Sequence, residues 1–315
     1  MTIMRAMVWL LVAVLALVVS LLAVRWRLLH RVQSPLDPEP FEGHVYRIGD
    51  ATVLERACRD PGVTVVCMHG FLENFHYFTE FYADPAIQLI LIASADYHAP
   101  APTATPAWAR DVPGVPGTIE YDAAVLVQAL EHLPRTDRIR VHGHSRGGAV
   151  VLEASVLRPD LFTRVDVVLE APVLPGGKTR TPITGVTLWA LPFIALLWRK
   201  RPISNQNRKL WGRLDDPRKR QVISALPFNP RRVRTVLANL VSIAAWVERT
   251  DARHLSAVRG KVLIADDDRV LDPASMRASA ERAGDRLEIV SVPGSSHFVL
   301  FDEPRLLGLG DTRSR

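Results

Sequence analysis

Cysteine is nearly absent from this chain of 315 residues: Cys58 and Cys67 are the only two, too few for a disulfide framework. Cys67 lies in the apolar run TVVCMHG, where a small buried thiol packs well, and the pair reads as structural rather than as redox or metal chemistry. Repeats, heptads and collagen-like tracts are missing too, which excludes solenoid, coiled-coil and fibrous classes. With 48% hydrophobic and 23% charged residues, disorder is excluded as well. What remains is a globular chain with enough apolar residues for a sizeable core. Its length exceeds one typical domain and falls short of two, which favours a single large α/β unit with an insertion.

The amino-terminal residues contain one long apolar run. Residues 6–24, AMVWLLVAVLALVVSLLAV, have Ser20 as their only polar member, and as a helix they reach about 28 Å, enough to span a bilayer core. A cleaved signal would need a small-x-small site, whereas Leu21, Leu22 and Ala23 lead straight into Arg25 and Trp26, so an uncleaved anchor over residues 1–40 is expected. Arg25, Trp26, Arg27 and Arg31 suit the headgroup level, and Pro35, Pro38 and Pro40 are expected to end the helix. Arg5 and the terminal amine oppose three arginines across the span, a margin of one charge toward a cytoplasmic body.

Beyond Phe41 the apolar runs TVVCMHG, IQLILIAS, IRVHGHS, RVDVVLEAPV, KVLIADDD and RLEIVSV are the strand candidates. Their near-continuous hydrophobicity predicts a mostly parallel sheet covered on both faces. Helical spacing at Ala123, Leu126, Val127 and Leu130 marks a helix in IEYDAAVLVQALEHL, and another is expected from just after Ser145 to before Pro159. The alternation stops over residues 176–254, which read as a helical insertion. There 16 Lys and Arg meet 4 Asp and Glu, a balance of +12, while the rest of the chain sums to −6. This basic segment lacks a recognisable nucleic-acid reading motif, so no nucleic-acid partner is expected. It contains a mostly apolar stretch, residues 183–198, interrupted by Pro192 and followed by Arg199, Lys200 and Arg201. That stretch suits a lid over an apolar pocket or a helix in a membrane interface, the alternative being a buried cap helix.

GHSRGG, residues 143–148, follows the strand IRVH and precedes a helical run. Gly143, Ser145 and Gly147 fit G-x-S-x-G, a tight strand-to-helix turn that exposes a serine hydroxyl. Such a hydroxyl needs a base to take its proton, and the base needs an acid to hold its tautomer. His297 lies in a loop just past the last expected strand, while Asp266, Asp267, Asp268 and Asp272 lie just past KVLIA. Asp268 is the preferred acid. A carboxylate there shares a rim with Ser145 and His297. His142 and His144 flank the turn without a metal-ligand set, and the chemistry needs neither metal nor cofactor.

With these residues the chain resembles the α/β-hydrolase family from about Phe41 onward, with the insertion at the family's usual cap position. The resemblance divides it into an anchor (1–40), a core in two parts (41–175 and 255–315) and a helical cap (176–254). DRVLDP resembles the acid loop of the monoacylglycerol-lipase and esterase branch, which implies Asp268 as the triad acid and a structural role for the later Asp-Pro. Ala265 and Asp266 stand where that branch commonly has glycine, leaving Asp267 as a rival acid, and Glu170 occupies the family's other acid position. HGF, residues 69–71, resembles the family's oxyanion loop and implies the Phe71 and Arg146 amides as oxyanion donors, with His69 structural. Serine at 145 argues against the dehalogenase and epoxide-hydrolase branches.

A tighter resemblance is to membrane-anchored bacterial carboxylesterases of the phospholipase A type. It implies release of fatty acid from glycerophospholipids or lysophospholipids, an inner-membrane anchor with a periplasmic body, and a homodimer through the anchor helix. On orientation this resemblance outweighs the one-charge margin. Monoacylglycerols or small soluble esters are alternative substrates, and a non-catalytic membrane-tethered binding module is the alternative from another class.

Overall fold

The computed structural model describes residues 2–36 and 40–307. Pro38 and the last eight residues of the expected second core part therefore lie outside the described residues. The chain opens with α1 (Thr2–His30), none of whose most apolar 18-residue window is buried and whose mean hydropathy there is 3.0. It ends at His30, before Pro35, and the chain is then stitched to the body: the buried Gln33 donates its amide to the Arg231 carbonyl at 2.8 Å.

The body follows as β1 (His44–Ile48), β2 (Ala51–Arg56), β3 (Val63–Met68), α2 (His76–Thr79), β4 (Ile87–Ala93), α3 (Ile119–His132), β5 (Ile139–His144), α4 (Arg146–Leu157), α5 (Pro159–Phe162) and β6 (Val165–Glu170). After β6 come α6 (Gly185–Lys200), α7 (Pro217–Ala225), α8 (Val233–Arg249) and α9 (Arg253–Ser256), then β7 (Gly260–Ala265), α10 (Pro273–Ala280), β8 (Leu287–Val292) and α11 (Val299–Asp302). The eight strands form one sheet in the order β1-β2-β4-β3-β5-β6-β7-β8. Its pairs are parallel from β4 to β8, and β1 and β2 join antiparallel.

The six expected strands are β3 to β8. In the interior strands the hydrophobicity is nearly continuous because alternate side chains enter different cores. Val66 and Met68 of β3, with Ile90 and Ile92 of β4, pack among the buried residues of α3 and α4. Val65, Cys67, Leu89 and Leu91 face the opposite way, onto Phe75, Tyr77, Phe78 and Tyr82. The hairpin β1–β2 was not expected. Its two-residue connection, Gly49–Asp50, puts Gly49 at φ +58°, the left-handed backbone that a tight hairpin demands and glycine supplies.

Between β6 and β7 the described residues hold helices and no ladder strand. α8 buries Val236, Asn239, Ile243 and Trp246 at helical spacing, and the Trp246 indole donates to Glu153 at 2.8 Å. α6 runs through Pro192 rather than breaking there, and Pro192 and Ala195 are its only buried residues. The alternative of a buried cap helix is therefore corrected: Val186 is 77% and Leu197 67% exposed. This apolar helix lies beside the carboxyl end of α1, where Arg25 Nε donates to the Trp189 carbonyl at 3.0 Å and its guanidinium stands 5.8 Å from the Trp189 ring centroid.

Candidate active site

Ser145 sits between β5 and α4 with φ 51° and ψ −117°, a sparsely populated conformation for a residue with a side chain, kept only where the surroundings over-determine it. They do so here. The Ser145 amide donates to the Glu170 carbonyl at 2.9 Å, and its own carbonyl accepts from Gly148 at 3.0 Å and Val173 at 2.9 Å. The helix also passes so close to β3 that a Cβ on Gly147 would lie 2.1 Å from the Met68 carbonyl oxygen, which is the physical reason for glycine two residues after the serine.

Asp268 and His297 come together on the same rim. His297 Nδ1 donates to Asp268 Oδ2 at 2.7 Å, and both side chains are buried. The other oxygen, Oδ1, accepts from the amides of Val270 at 2.7 Å and Leu271 at 2.9 Å. A carboxylate so fully bonded has one geometry, and that geometry fixes the imidazole tautomer with Nε2 free of the proton. The competing carboxylates are placed elsewhere. Asp266 and Asp267 are exposed, Asp272 caps α10 by accepting from Ser275 at 2.9 Å, and Glu170 faces His142 at 3.1 Å.

The HGF turn lies against the serine, since a Cβ on Gly70 would come 2.9 Å from Ser145 Cβ. Phe71 belongs to this turn. Arg146 opens α4, where the first-turn amides have no partner within the helix. Its side chain does something unforeseen: it is buried, donating to Asp122 Oδ2 at 2.7 Å and to the Gly117 carbonyl at 2.9 Å. His69 is tied locally, its Nε2 accepting from the Ser94 amide at 3.1 Å and its Nδ1 donating to the Gly70 carbonyl at 2.8 Å.

Two buried acid–base pairs flank these residues. Glu73 Oε2 accepts from the Gly70 amide at 2.8 Å and from His144 Nδ1 at 2.7 Å, while His144 Nε2 donates to the His297 carbonyl at 2.9 Å. One carboxylate and one imidazole thus link the HGF turn, the residue before Ser145 and the His297 loop. Burial alone would lower the His144 pKa, but the Glu73 and Glu170 carboxylates and the bonds to Glu73 and His297 outweigh it and raise it to about 9. His142 goes the other way: burial pushes it below its ordinary value despite Glu170. Glu170 itself accepts from Tyr77 Oη at 2.6 Å and the Leu300 amide at 2.8 Å. Sequence reasoning noticed both histidines and Glu170, but neither pairing, and it missed Glu73.

A cavity of about 320 Å³ adjoins the HGF turn, lined by Asn74 and Phe75, by Pro35, Leu36 and Phe41 after α1, and by Val222 of α7. Ser145, Asp268 and His297 do not line it.

A model of the alpha/beta hydrolase family matches residues 65–307. Comparison with curated proteins gives no match. Among solved structures the chain is similar to an esterase from Exiguobacterium antarcticum, with a TM-score of 0.65, 14% identity, and coverage of 87% of this chain and 100% of that one. It is also similar to a putative aryl esterase from Burkholderia cenocepacia, with a TM-score of 0.61, 14% identity, and coverage of 85% and 97%. A thermophilic esterase from Thermogutta terrifontis gives a TM-score of 0.56, 17% identity, and coverage of 82% and 91%. At such identities the likeness is one of fold.

Proposed function

Because the chain belongs to the α/β-hydrolase family, we propose that it is a serine ester hydrolase held at a membrane by α1, releasing fatty acid from glycerophospholipids. The observation that carries the chemistry is the strained Ser145 at the β5–α4 turn, with an imidazole on the same rim whose Nδ1 is held 2.7 Å from Asp268. Ser145 Oγ attacks the acyl carbonyl while His297 Nε2 takes its proton. The charge that develops on the carbonyl oxygen is met by the Phe71 and Arg146 amides and by the positive end of α4. Collapse of the tetrahedral intermediate breaks the ester bond, and the leaving alcohol receives the proton from His297. Water, deprotonated by the same imidazole, then attacks the acyl-enzyme and frees the carboxylic acid.

The lipid part rests on the surface. α1 is 29 residues long, about 44 Å at 1.5 Å per residue, longer than the ~30 Å hydrocarbon core. Its lower end carries Arg25 and Trp26 at headgroup depth. Beside that end, α6 offers Val186, Trp189 and Leu197 to the outside, and the +12 charge of residues 176–254 favours anionic headgroups. A periplasmic body on a bacterial inner membrane and a dimer contact through α1 are proposed from the resemblance to anchored carboxylesterases alone.

The test uses the full-length protein with defined phospholipids and, in parallel, short-chain soluble esters, measuring released acid. Wild-type protein is expected to cleave phospholipid and to label with a fluorophosphonate, and Ser145→Ala to do neither while staying membrane-bound. Labelling that persists in Ser145→Ala overturns the nucleophile. Cleavage confined to soluble esters or monoacylglycerols overturns the phospholipid substrate, and no cleavage of any ester leaves a tethered binding module.

A further inference from the structure

Lys219, on α7, is buried to 1% exposure, and its ammonium is spent inside the protein rather than on the basic surface. Nζ donates to Asp302 Oδ1 at 2.7 Å and to Ser296 Oγ at 3.1 Å, and lies 6.0 Å from the Phe298 ring centroid. Asp302, at the end of α11, is equally hidden. Its Oδ2 accepts from the Ser296 amide at 2.8 Å, from Ser296 Oγ at 2.6 Å and from Ser295 Oγ at 3.3 Å. The residues so gripped are the two before His297. The chain entering α7 touches the same loop: a Cβ on Gly212 would lie 2.6 Å from Ser296 Cβ, and Arg213 donates to the Asp302 carbonyl at 3.1 Å.

A buried ion pair of this kind is a poor device for stability alone, since well-packed apolar residues in its place are often as good or better. What it supplies is register, because each of its bonds has one geometry. We propose that Lys219 and Asp302 are positioning residues that clamp the Ser295–Ser296–His297 loop to α7, so that the imidazole is held for proton transfer only while α7 is seated on the body. The proposal rests on His297 as the base, argued above. The helical segment is then not a passive cover. Any movement that lifts α7 from the sheet withdraws the loop's restraint as well, which couples the seating of the cap to the chemical step.

The experiment compares full-length wild-type protein with Lys219→Met, Ser296→Ala and the double variant, using p-nitrophenyl butyrate for kcat and KM and His297→Ala as a control. Each single variant is expected to lose about tenfold in kcat, the order of loss that a slight misplacement of a reacting group brings, with KM within about twofold. The double variant is expected to be no worse than the poorer single one, because both break one clamp. Wild-type kcat in the single variants beside an inactive His297→Ala overturns the clamp and leaves the base in place, as does a rise in KM alone or an additive double variant. Activity retained by His297→Ala overturns the base and the clamp with it. Should Lys219→Met not fold by circular dichroism, Ser296→Ala, which removes one oxygen, decides alone.

Discussion

Replacing Glu73 by Gln removes the charge that faces His144 while keeping the side chain's shape. In the folded protein His144 is raised from the ordinary 6.5 to about 9, against its burial and chiefly by Glu73. That gap corresponds to about 3 kcal/mol of differential proton binding. A raised folded-state pKa means that the native state holds the proton more tightly. The stabilisation is therefore complete below about pH 6.5, the unfolded value, and is lost as pH rises through about 9. Glu170 still raises His144 in the variant and burial still lowers it, so the substitution removes a stabilisation of the order of that gap. Urea unfolding followed by tryptophan fluorescence, across pH 6 to 10, is expected to show wild type losing about 3 kcal/mol of stability relative to Glu73→Gln between the two ends of that range. His69, His98 and His142 are all lowered by burial, and of the three only His69 also feels Glu73, as the last of its causes. Curves that run parallel over the whole range would refute a charged His144.

Two further perturbations probe the proposed chemistry and the proposed membrane contact separately. Asp268→Asn keeps the amide bonds from Val270 and Leu271 to one oxygen, but the new amide group can face Nδ1 only as a donor and selects the wrong imidazole tautomer. A loss of kcat of about 10³ to 10⁴, with an unchanged unfolding midpoint, is expected in soluble-ester kinetics, and a change within threefold speaks for another acid. Val186→Asp with Leu197→Asp places two carboxylates on exposed positions of α6. Hydrolysis of phospholipid in anionic vesicles is expected to fall about tenfold or more while soluble-ester kinetics stay as they were, and an equal fall on both substrates would show that the helix acts on the active site rather than on the bilayer.

The contrast between what the sequence revealed and what it hid follows from how far apart the interacting residues lie. β3 to β7 were legible because a strand covered on both faces is apolar along most of its length, a property of consecutive residues. HVYRI was not, because at the sheet edge only Val45 and Ile48 of its five residues are buried, and only Gly49–Asp50 marks the hairpin. The serine turn was legible for the same local reason: Gly147 must clear the Met68 carbonyl two residues from the strained Ser145. Among four neighbouring aspartates, spacing and family resemblance favoured Asp268, and burial separates it from Asp266 and Asp267. The pairs Glu73–His144 and Lys219–Asp302 join residues 71 and 83 positions apart. No periodicity or spacing announces them. The first exists because β3 lies beside β5 in the sheet, which brings the turn after one strand against the end of the other; the second exists because α7 packs where α11 ends. Ser145, His297 and Asp268 are each marked by their neighbours in sequence, whereas the buried pairs around them are set by the order of strands and the seat of a helix, which becomes visible only once the chain is folded.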